Sequence, residues 1–347
     1  MWKIICQKLL YLLRMEYDYQ EIIDKCKELG IYSNIPVFDF RGKSYAGEFL
    51  NLFNFYQENI VRHYKYGIKP GIFVFGDNDT LNAWAAKISE TYVISFNKGT
   101  VFRLEELFRY NTTILDSEGL ESYQEVEVHT DYKFQDLMHQ FCMSFTFYHE
   151  LGHLIQKSDV LKLGLNEGLD KHINFDFQRH VLEYDADLFS AMNLGAHIYQ
   201  YFENWHKRKT SNDLECLISI LSAAIFVRIL SSPSMDMPFY TNENSHPHSI
   251  IRILSIIHAI IDYNIKLLER KENGITIDEV RVVKMTLEAA EILAKNLLGN
   301  FQFKNFVLML QENEEKISEY TGELREQTAR MGNSAYNRWN EMANRIN

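Results

Sequence analysis

The chain has 347 residues and a net charge of −11, and 46% of its residues are hydrophobic and 24% charged. This composition is typical of a globular protein and excludes a disordered chain, while the length allows one large domain or two smaller ones. The negative charge argues against a general affinity for nucleic-acid phosphates or anionic lipid. The sequence contains no serine-hydrolase, P-loop or dinucleotide-binding motif.

The cysteines and the apolar segments indicate where the protein works. The four cysteines are scattered without a CxxC pair, which argues against a disulfide framework or a zinc ribbon and fits a reducing compartment. Residues 1–15 predict an amphipathic helix rather than an export signal. The longest apolar stretch elsewhere, Glu215 to Arg228, is too short for a membrane span. We therefore expect a cytoplasmic protein.

The N-terminal third is predicted to combine helices with two short strands. Apolar positions at helical spacing stop at Gly30, a normal helix end. Two runs rich in β-branched and aromatic residues are typical of strands, and a polar, acidic run after them is typical of a surface loop. The predicted elements are helices over 1–30, 49–66 and 101–110, strands over 71–75 and 91–96, and a loop over 111–131.

From Tyr132 onward the chain is predicted to be almost entirely helical. Apolar residues from Phe134 to Tyr148 recur at steps of four and three, which gives the first helix of this region one apolar face. Prolines bracket an irregular segment at 232–247. The other predicted elements are a loop over 158–175 and helices over 177–207, 212–231, 248–270, 277–298 and 302–330.

The strongest chemical signal is the run His149-Glu-Leu-Gly-His153. Two histidines at positions i and i+4 project from one helix face, so their ring nitrogens can converge on one ion. Glu150 can take a proton from a water on that ion without ligating the ion itself. The alternative is an ordinary helix with two surface histidines. Gly152 argues against it, because a glycine inside a helix costs about 1 kcal/mol relative to alanine and is useful where another backbone or a metal site approaches closely.

A catalytic zinc site needs a third protein ligand, for which Glu183 is the best candidate. It lies 30 residues beyond His153 on another predicted helix. Asp187 follows Glu183 at i+4, so it can accept the free N–H of a ligand histidine and fix its tautomer. Acids on helices are usually solvated, and this interpretation depends on the histidine motif. Asp185 and His180 are weaker alternatives.

A third feature is the run Ser245-His-Pro-His-Ser-Ile-Ile-Arg252. His246 or His248 could donate a hydrogen bond to the oxyanion that forms when water attacks a peptide carbonyl. Arg252 could pair with an acid near the metal, and Asp187 is the natural candidate. A histidine beside a proline can equally be a surface residue at a helix start, so this alternative stays open.

Together these motifs resemble those of the gluzincin metallopeptidases, whose zinc ligands are two histidines and one glutamate. The pattern is similar to that of the heat-shock and prenyl-protein-processing membrane zincins and their soluble relatives. In that group an HExGH helix precedes an ExxAD helix and a His-Pro segment with an arginine six residues after the histidine. Here these motifs are His149–His153, Glu183–Asp187 and His246 to Arg252.

The resemblance also includes an Asn-Ala-aromatic-Ala motif and covers about half the chain, residues 82–252. It implies that the strand over 91–96 is a sheet edge that holds substrate in an extended conformation by β-addition. The membrane spans of those relatives are missing here. The soluble Lit-type phage-exclusion peptidases have similar motifs, which implies a regulated protease in phage defence. The implied substrate-binding residues are Asn82, Ala83, Trp84 and Ala85.

We therefore expect an α+β, predominantly helical protein with a zincin-like core, in which a small sheet covers one side of the active-site helix. The expected divisions are a helical segment over 1–66, a catalytic core over 67–262 and a C-terminal helical extension over 263–347. The expected function is hydrolysis of a protein or peptide substrate with bound Zn²⁺, under the control of a regulatory partner or trigger. A regulatory protein with a structural zinc and a metallohydrolase acting on other bonds remain as alternatives.

Overall fold

The computed structural model describes residues 17–31, 36–156, 176–231, 239–271, 274–299 and 306–346. The predictions for the N-terminal amphipathic helix, for the loop over 158–175 and for the first part of the 232–247 segment lie outside these residues. The chain divides into two compact units. The first contains the described residues up to Val101 and those from His153 to Gln156, and the second contains Phe102–Gly152 and the described residues from Asp176 onward.

The first unit begins with two helices and a three-stranded sheet. Asp18 caps the first helix by accepting a hydrogen bond from Gln20 N, and Gly30 follows the helix end with a φ of 63°. The predicted helix end is thus confirmed. The elements are α1 (Tyr19–Glu28), α2 (Ala46–Arg62) with a 3₁₀ turn (His63–Tyr66), β1 (Gly71–Gly76), β2 (Ala83–Ile88) and β3 (Thr91–Asn97).

The sheet has the strand order β1-β3-β2. β3 pairs in parallel with β1, where Ile94 is opposite Phe73, and antiparallel with β2, where Ile94 is opposite Ala85. The expectation that the strand over 91–96 forms a sheet edge is therefore wrong, because β3 has a neighbour on each side. Within the described residues, the edge beyond β3 belongs to β2, which the sequence pattern did not predict.

Aromatic side chains form the core of the first unit. Tyr19 lies at its centre, where its hydroxyl donates to Phe38 O at 3.0 Å and accepts from Phe75 N at 3.2 Å. The rings of Phe49 and Phe75 meet edge to face with centroids 4.8 Å apart, which packs α2 on β1. The predicted strand over 71–75 is buried along its whole length.

The second unit is built from helices. Its elements in chain order are α3 (Lys98–Leu104), continued by a π-helical turn (Glu105–Arg109), a 3₁₀ turn (Ile114–Asp116), α4 (Glu121–Glu127), α5 (Phe134–Gln156), α6 (Phe177–Trp205), α7 (Ser211–Leu230), α8 (Ser249–Glu269), α9 (Glu279–Leu297), α10 (Phe306–Glu312), α11 (Glu314–Arg330) and α12 (Ala335–Ile346). α3 starts in the last residues of the first unit, and the last turn of α5 is grouped with the first unit although α5 is one uninterrupted helix.

Two stretches differ from the predictions. The 111–131 segment is not a surface loop, since it folds into helical turns whose apolar side chains, such as Leu120 and Val126, are fully buried. The helix predicted over 302–330 is divided at Asn313 into α10 and α11. In both places the apolar residues spaced among acids are buried on one side of helical turns.

Packing of α6 on α8 and of α7 on α9 makes up much of the second unit. α7 is buried from Asp213 to its end at Leu230, as expected for a helix that is apolar all round. The predicted fold class, α+β with a predominance of helix and a small sheet, is confirmed. Among the described helices, none is both long enough and apolar enough to cross a membrane.

Candidate metal centre

α5 presents both histidines of the HExxH run and the glutamate between them. His149 and His153 are each 2% exposed, and Glu150 is 1% exposed. Successive residues of a helix are rotated by about 100°, so these three side chains leave α5 within about a third of its circumference. The alternative of two surface histidines on an ordinary helix is wrong, because both rings are buried.

A glycine lets α6 approach α5 at this level. A Cβ added to Gly152 would lie 3.0 Å from Ala186 Cα and 3.2 Å from Ala186 Cβ. One turn further along α6, Ser190 Oγ donates a hydrogen bond of 3.1 Å to Phe145 O on α5. The interpretation of Gly152 as a site of close backbone approach is confirmed, and the contact turns the Glu183 face of α6 towards α5.

The two helices bring His149, His153 and Glu183 together into one buried group. Ligand atoms of the three side chains all lie within 4.8 Å of one another. His149 Nε2 lies 3.2 Å from Glu183 Oε2. In the part of the chain that the structure describes, this is the only such group of histidine, cysteine or acidic side chains. The group could bind a metal ion, with two imidazoles and one carboxylate as donors.

Asp187 fixes the orientation of the first histidine. His149 Nδ1 donates to Asp187 Oδ1 at 2.9 Å, which directs Nε2 of the same ring towards Glu183. Arg252 Nε donates to Asp187 Oδ2 at 2.7 Å and Arg252 Nη2 donates to Oδ1 at 2.8 Å. Burial alone would raise the pKa of Asp187, but the Arg252 charge and the hydrogen bonds from Arg252 and His149 lower it to about 2. The carboxylate therefore stays ionised.

The second histidine has its own partner. His153 Nδ1 donates to Gln156 Oε1 at 3.0 Å, so the other nitrogen, Nε2, is the one that can face a metal ion. Gln156 is completely buried. Gln156 is not among the site residues predicted from the sequence, although side chains three residues apart on a helix lie close together.

The electrostatic environment of His149 is dominated by carboxylates. Burial lowers the pKa of His149, but hydrogen bonds to Asp187 and Glu183 outweigh burial and raise this pKa well above its usual value of 6.5. In metal-free protein a proton on His149 therefore balances the negative charge of the two acids. A cation bound between His149 and Glu183 must displace that proton.

Of the two candidate histidines near Pro247, it is His246 that contacts the group. His246 Nε2 lies 3.4 Å from Glu183 Oε2, and His246 Nδ1 lies 2.8 Å from Ser245 Oγ. His248 instead caps α8, where its Nδ1 accepts a hydrogen bond of 3.2 Å from Ile250 N. His248 is therefore a helix-start residue, as the alternative has it, but it is buried and not on the surface. Of the two histidines, only His246 lies beside the metal group.

The weaker ligand candidates on α6 make other contacts. Asp185 leaves α6 on nearly the opposite side from Glu183, because two residues correspond to a rotation of about 200°. Its carboxylate accepts hydrogen bonds from Ser334 Oγ at 2.5 Å, Ala335 N at 2.8 Å and Tyr336 N at 3.2 Å, so it caps α12. His180 bonds to α11 and to the 239–248 segment.

The Asn-Ala-aromatic-Ala motif lies in the first unit, at the start of β2. Asn82 O accepts hydrogen bonds from Asn97 N at 3.0 Å and from Thr100 Oγ1 at 2.6 Å, which ties this edge strand to β3 and to α3. Ala83 and Ala85 are fully buried and Trp84 is half-buried.

Comparisons with protein-family models, with curated proteins and with solved structures find no match for this chain. The fold and the site together define its class as a mainly helical α+β protein with a buried His149–His153–Glu183 group that could bind a metal ion.

Proposed function

We propose that the protein is a zinc-dependent peptidase of the gluzincin type. The observation that carries this proposal is the buried His149–His153–Glu183 group, whose ligand atoms lie within 4.8 Å of one another, with Glu150 on the same helix turn. Two histidines and one glutamate are a known donor set of catalytic zinc sites, which keep a further position for water or substrate. The fit of the donors supports zinc as the metal.

The residues around the group suit hydrolysis of a peptide bond. Zinc held by the three side chains would supply a Lewis acid that polarises the carbonyl and lowers the pKa of a water molecule. Glu150 accepts the proton of the attacking water and passes it to the leaving amine. The Asp187 carboxylate holds His149 in the tautomer that presents Nε2, and Arg252 holds the carboxylate.

The position of His246 beside Glu183 supports a role in stabilising the tetrahedral oxyanion. If the Ser245 hydroxyl donates to Nδ1 of His246, as their 2.8 Å separation allows, the ring proton is on Nε2. Nε2 is the atom that lies 3.4 Å from Glu183, so the donor points into the metal group. A positioned donor of this kind contributes about 10²–10³-fold to the rate.

The resemblance to soluble relatives of the membrane zincins extends this proposal. It supports a zincin-like core and a regulated cytoplasmic protease. The similarity of the motifs to those of Lit-type peptidases supports a role in phage defence with a protein substrate. On the same ground, Asn82–Ala85 are proposed to contribute to substrate binding. The two alternatives, a zinc-containing regulatory protein and a metallohydrolase acting on other bonds, share the metal group but not the cleavage of a protein.

The test compares wild-type protein with Glu150→Gln, both loaded with zinc. New protein N-termini are mapped across a bacterial proteome after expression of each, and zinc content is measured on the purified proteins. The proposal predicts new N-termini only with wild type and equal zinc in both proteins. Equal zinc without new N-termini in either would support the structural-zinc or the non-peptidase alternative, and equal cleavage by both would refute Glu150 as the base.

A further inference from the structure

His180 connects a C-terminal helix to the segment that carries His246. His180 Nδ1 lies 2.6 Å from Tyr320 OH on α11, and His180 Nε2 lies 3.2 Å from Asn244 O. The His180 ring is fully buried and Tyr320 is 7% exposed. Both ring nitrogens therefore bond to residues far away in sequence, and the ring bridges two parts of the second unit.

The chemistry of the partners determines which nitrogen of His180 carries the proton. A carbonyl oxygen only accepts, so Nε2–H of His180 donates to Asn244 O. Burial lowers the pKa of His180 to about 4, and the ring is neutral at pH 7. Nδ1 is then the acceptor, and the Tyr320 hydroxyl donates to it. Burial raises the pKa of Tyr320, which keeps this hydroxyl protonated.

The Asn244 carbonyl belongs to a short irregular segment that places His246. Asn244 has a φ of 62°, a left-handed conformation that asparagine adopts more often than most residues. Two residues further on, His246 O accepts a hydrogen bond of 3.3 Å from Tyr240 OH. The hydrogen bond from His180 and that from Tyr240 thus hold the backbone on both sides of Ser245.

We propose that His180 is a positioning residue: its Nε2–H holds the Asn244 carbonyl and, through the 244–246 backbone, sets His246 Nε2 against Glu183. The Tyr320 hydroxyl holds the His180 ring in the tautomer that this requires. The inference rests on the proposed function, in which His246 donates to the oxyanion. It gives the C-terminal helix α11 a role in positioning His246.

Two amide substitutions separate the two hydrogen bonds of His180. The Gln amide nitrogen can occupy the position of Nε2, so His180→Gln keeps a donor for Asn244 O. The shorter Asn amide reaches only the position of Nδ1, so His180→Asn loses that donor and keeps a polar group near Tyr320. For peptide hydrolysis by the zinc-loaded protein, we expect His180→Asn to lower kcat by about 10–100-fold with KM and zinc affinity nearly unchanged. His180→Gln should stay within about threefold of wild type.

A double-mutant cycle with His246→Ala tests whether His180 acts through His246. The inference predicts that His180→Asn lowers kcat in wild type but has no further effect once His246 is alanine. If His180→Asn lowers kcat equally in the wild-type and His246→Ala backgrounds, the inference is overturned. It is also overturned if His180→Asn and His180→Gln lower kcat equally. If His180→Asn does not fold, Tyr320→Phe serves instead, because it removes the hydroxyl and keeps the ring that packs on Phe177. We expect Tyr320→Phe to lower kcat less than His180→Asn does, and to have no effect on kcat in the His246→Ala background.

A measurement without turnover separates this inference from the proposed function. The ¹⁵N and ¹H resonances of the His246 ring are recorded by NMR in metal-free and in zinc-loaded protein. We expect His180→Asn to shift and broaden them in both forms and His180→Gln to leave them near their wild-type positions. Unchanged His246 resonances in His180→Asn would overturn the inference. If the His246 resonances shift in His180→Asn but the wild-type protein cleaves no peptide, the proposed peptidase function is wrong and the positioning role of His180 still holds.

Discussion

His149 Nδ1 and Asp187 Oδ1 are joined by a buried hydrogen bond of 2.9 Å. The bond has two consequences for one ring. It leaves Nε2 of His149 as the nitrogen that faces Glu183, and it raises the pKa of His149 because the carboxylate favours the imidazolium form. A metal ion and a proton therefore compete for the same nitrogen, and several measurable properties depend on that competition.

The first prediction is that zinc binding releases a proton and strengthens as the pH rises. The folded-state pKa of His149 lies above 6.5, so its proton stabilises the metal-free fold fully below pH 6.5, and this contribution is lost as the pH rises through the raised pKa. From pH 6.5 up to that pKa, the apparent dissociation constant for zinc should fall about tenfold per pH unit. Competition with a chelator at a series of pH values measures this dissociation constant.

Calorimetry in buffers of different ionisation enthalpy counts the protons that zinc displaces. Asp187→Asn is the matched variant, because it removes one of the charges that raise the pKa of His149. It should shift the pH dependence of zinc binding to lower pH and weaken binding by about 10–100-fold. A dissociation constant that does not change with pH in wild type would contradict this account of His149.

The second prediction concerns the cation that balances Asp187. Arg252→Met should lower the free energy of unfolding of metal-free protein by about 3–5 kcal/mol, because it leaves a buried carboxylate without its fork of two hydrogen bonds. Arg252→Lys should recover only part of the loss, since an ammonium cannot form the bidentate pair. The folded pKa of Asp187 is about 2, so the pair's contribution is present above pH 3.8 and is lost as the pH falls towards 2. Chemical denaturation measures it.

An exposed ion pair on the same helix provides the control. Lys266 and Asp262 are 2.6 Å apart on α8, with side chains 59% and 49% exposed. Lys266→Met should change the free energy of unfolding by about 0–1 kcal/mol. If Arg252→Met and Lys266→Met lower the free energy of unfolding by similar amounts, Arg252 does not stabilise the Asp187 carboxylate as the structure describes.

The third prediction tests the close approach of α5 and α6. Gly152→Ala gains about 1 kcal/mol of helix propensity but places a Cβ 3.0 Å from Ala186 Cα. Overpacking of this kind costs about 1–3 kcal/mol. The two helices must separate by a few tenths of an ångström, so zinc affinity should fall while the net change in stability is small or unfavourable. Zinc titration and chemical denaturation report the two effects.

Gly322 on α11 is the matched control glycine. A Cβ at Gly322 meets no atom within 4 Å, so Gly322→Ala should stabilise the protein by about 0.5–1 kcal/mol and leave zinc affinity unchanged. If Gly152→Ala is as stabilising as Gly322→Ala and binds zinc as wild type does, the helices do not need the glycine.

The fourth prediction distinguishes two acids on α6 that are two residues apart. Glu183→Gln should weaken zinc binding by at least about 100-fold, because it removes a charged ligand. Asp185→Asn should leave zinc affinity nearly unchanged and should instead speed amide hydrogen exchange in α12, whose first residues it caps. The opposite result, loss of zinc with Asp185→Asn alone, would reverse the assignment of the third ligand.

Local sequence patterns predicted the parts of this site that lie on one or two helices. His149, His153 and Glu150 share one turn, so their convergence follows from helix geometry alone. Glu183 and its i+4 neighbour Asp187 needed one further step, the packing of α6 on α5, which Gly152 indicated. The predicted role of Arg252 as the partner of Asp187 is likewise confirmed by two hydrogen bonds.

What the sequence did not predict depends on contacts between distant residues. The bond of His180 to Tyr320 spans 140 positions, and the bond of Asp185 to Ser334 spans 149. No periodicity or spacing connects such pairs. The strand β2 was missed because Ala83–Ile88 contains three alanines and one lysine among its six residues, and its pairing with β3 outweighs its weak strand propensity.

The most direct test of the central claim is X-ray absorption spectroscopy of the zinc-loaded protein, combined with its metal content. We expect one zinc per chain, bound by two imidazole nitrogens at about 2.0–2.1 Å and by carboxylate and water oxygens, and lost from the His149→Ala and Glu183→Gln variants. Sulfur ligands at about 2.3 Å, or full zinc occupancy in both variants, would contradict it.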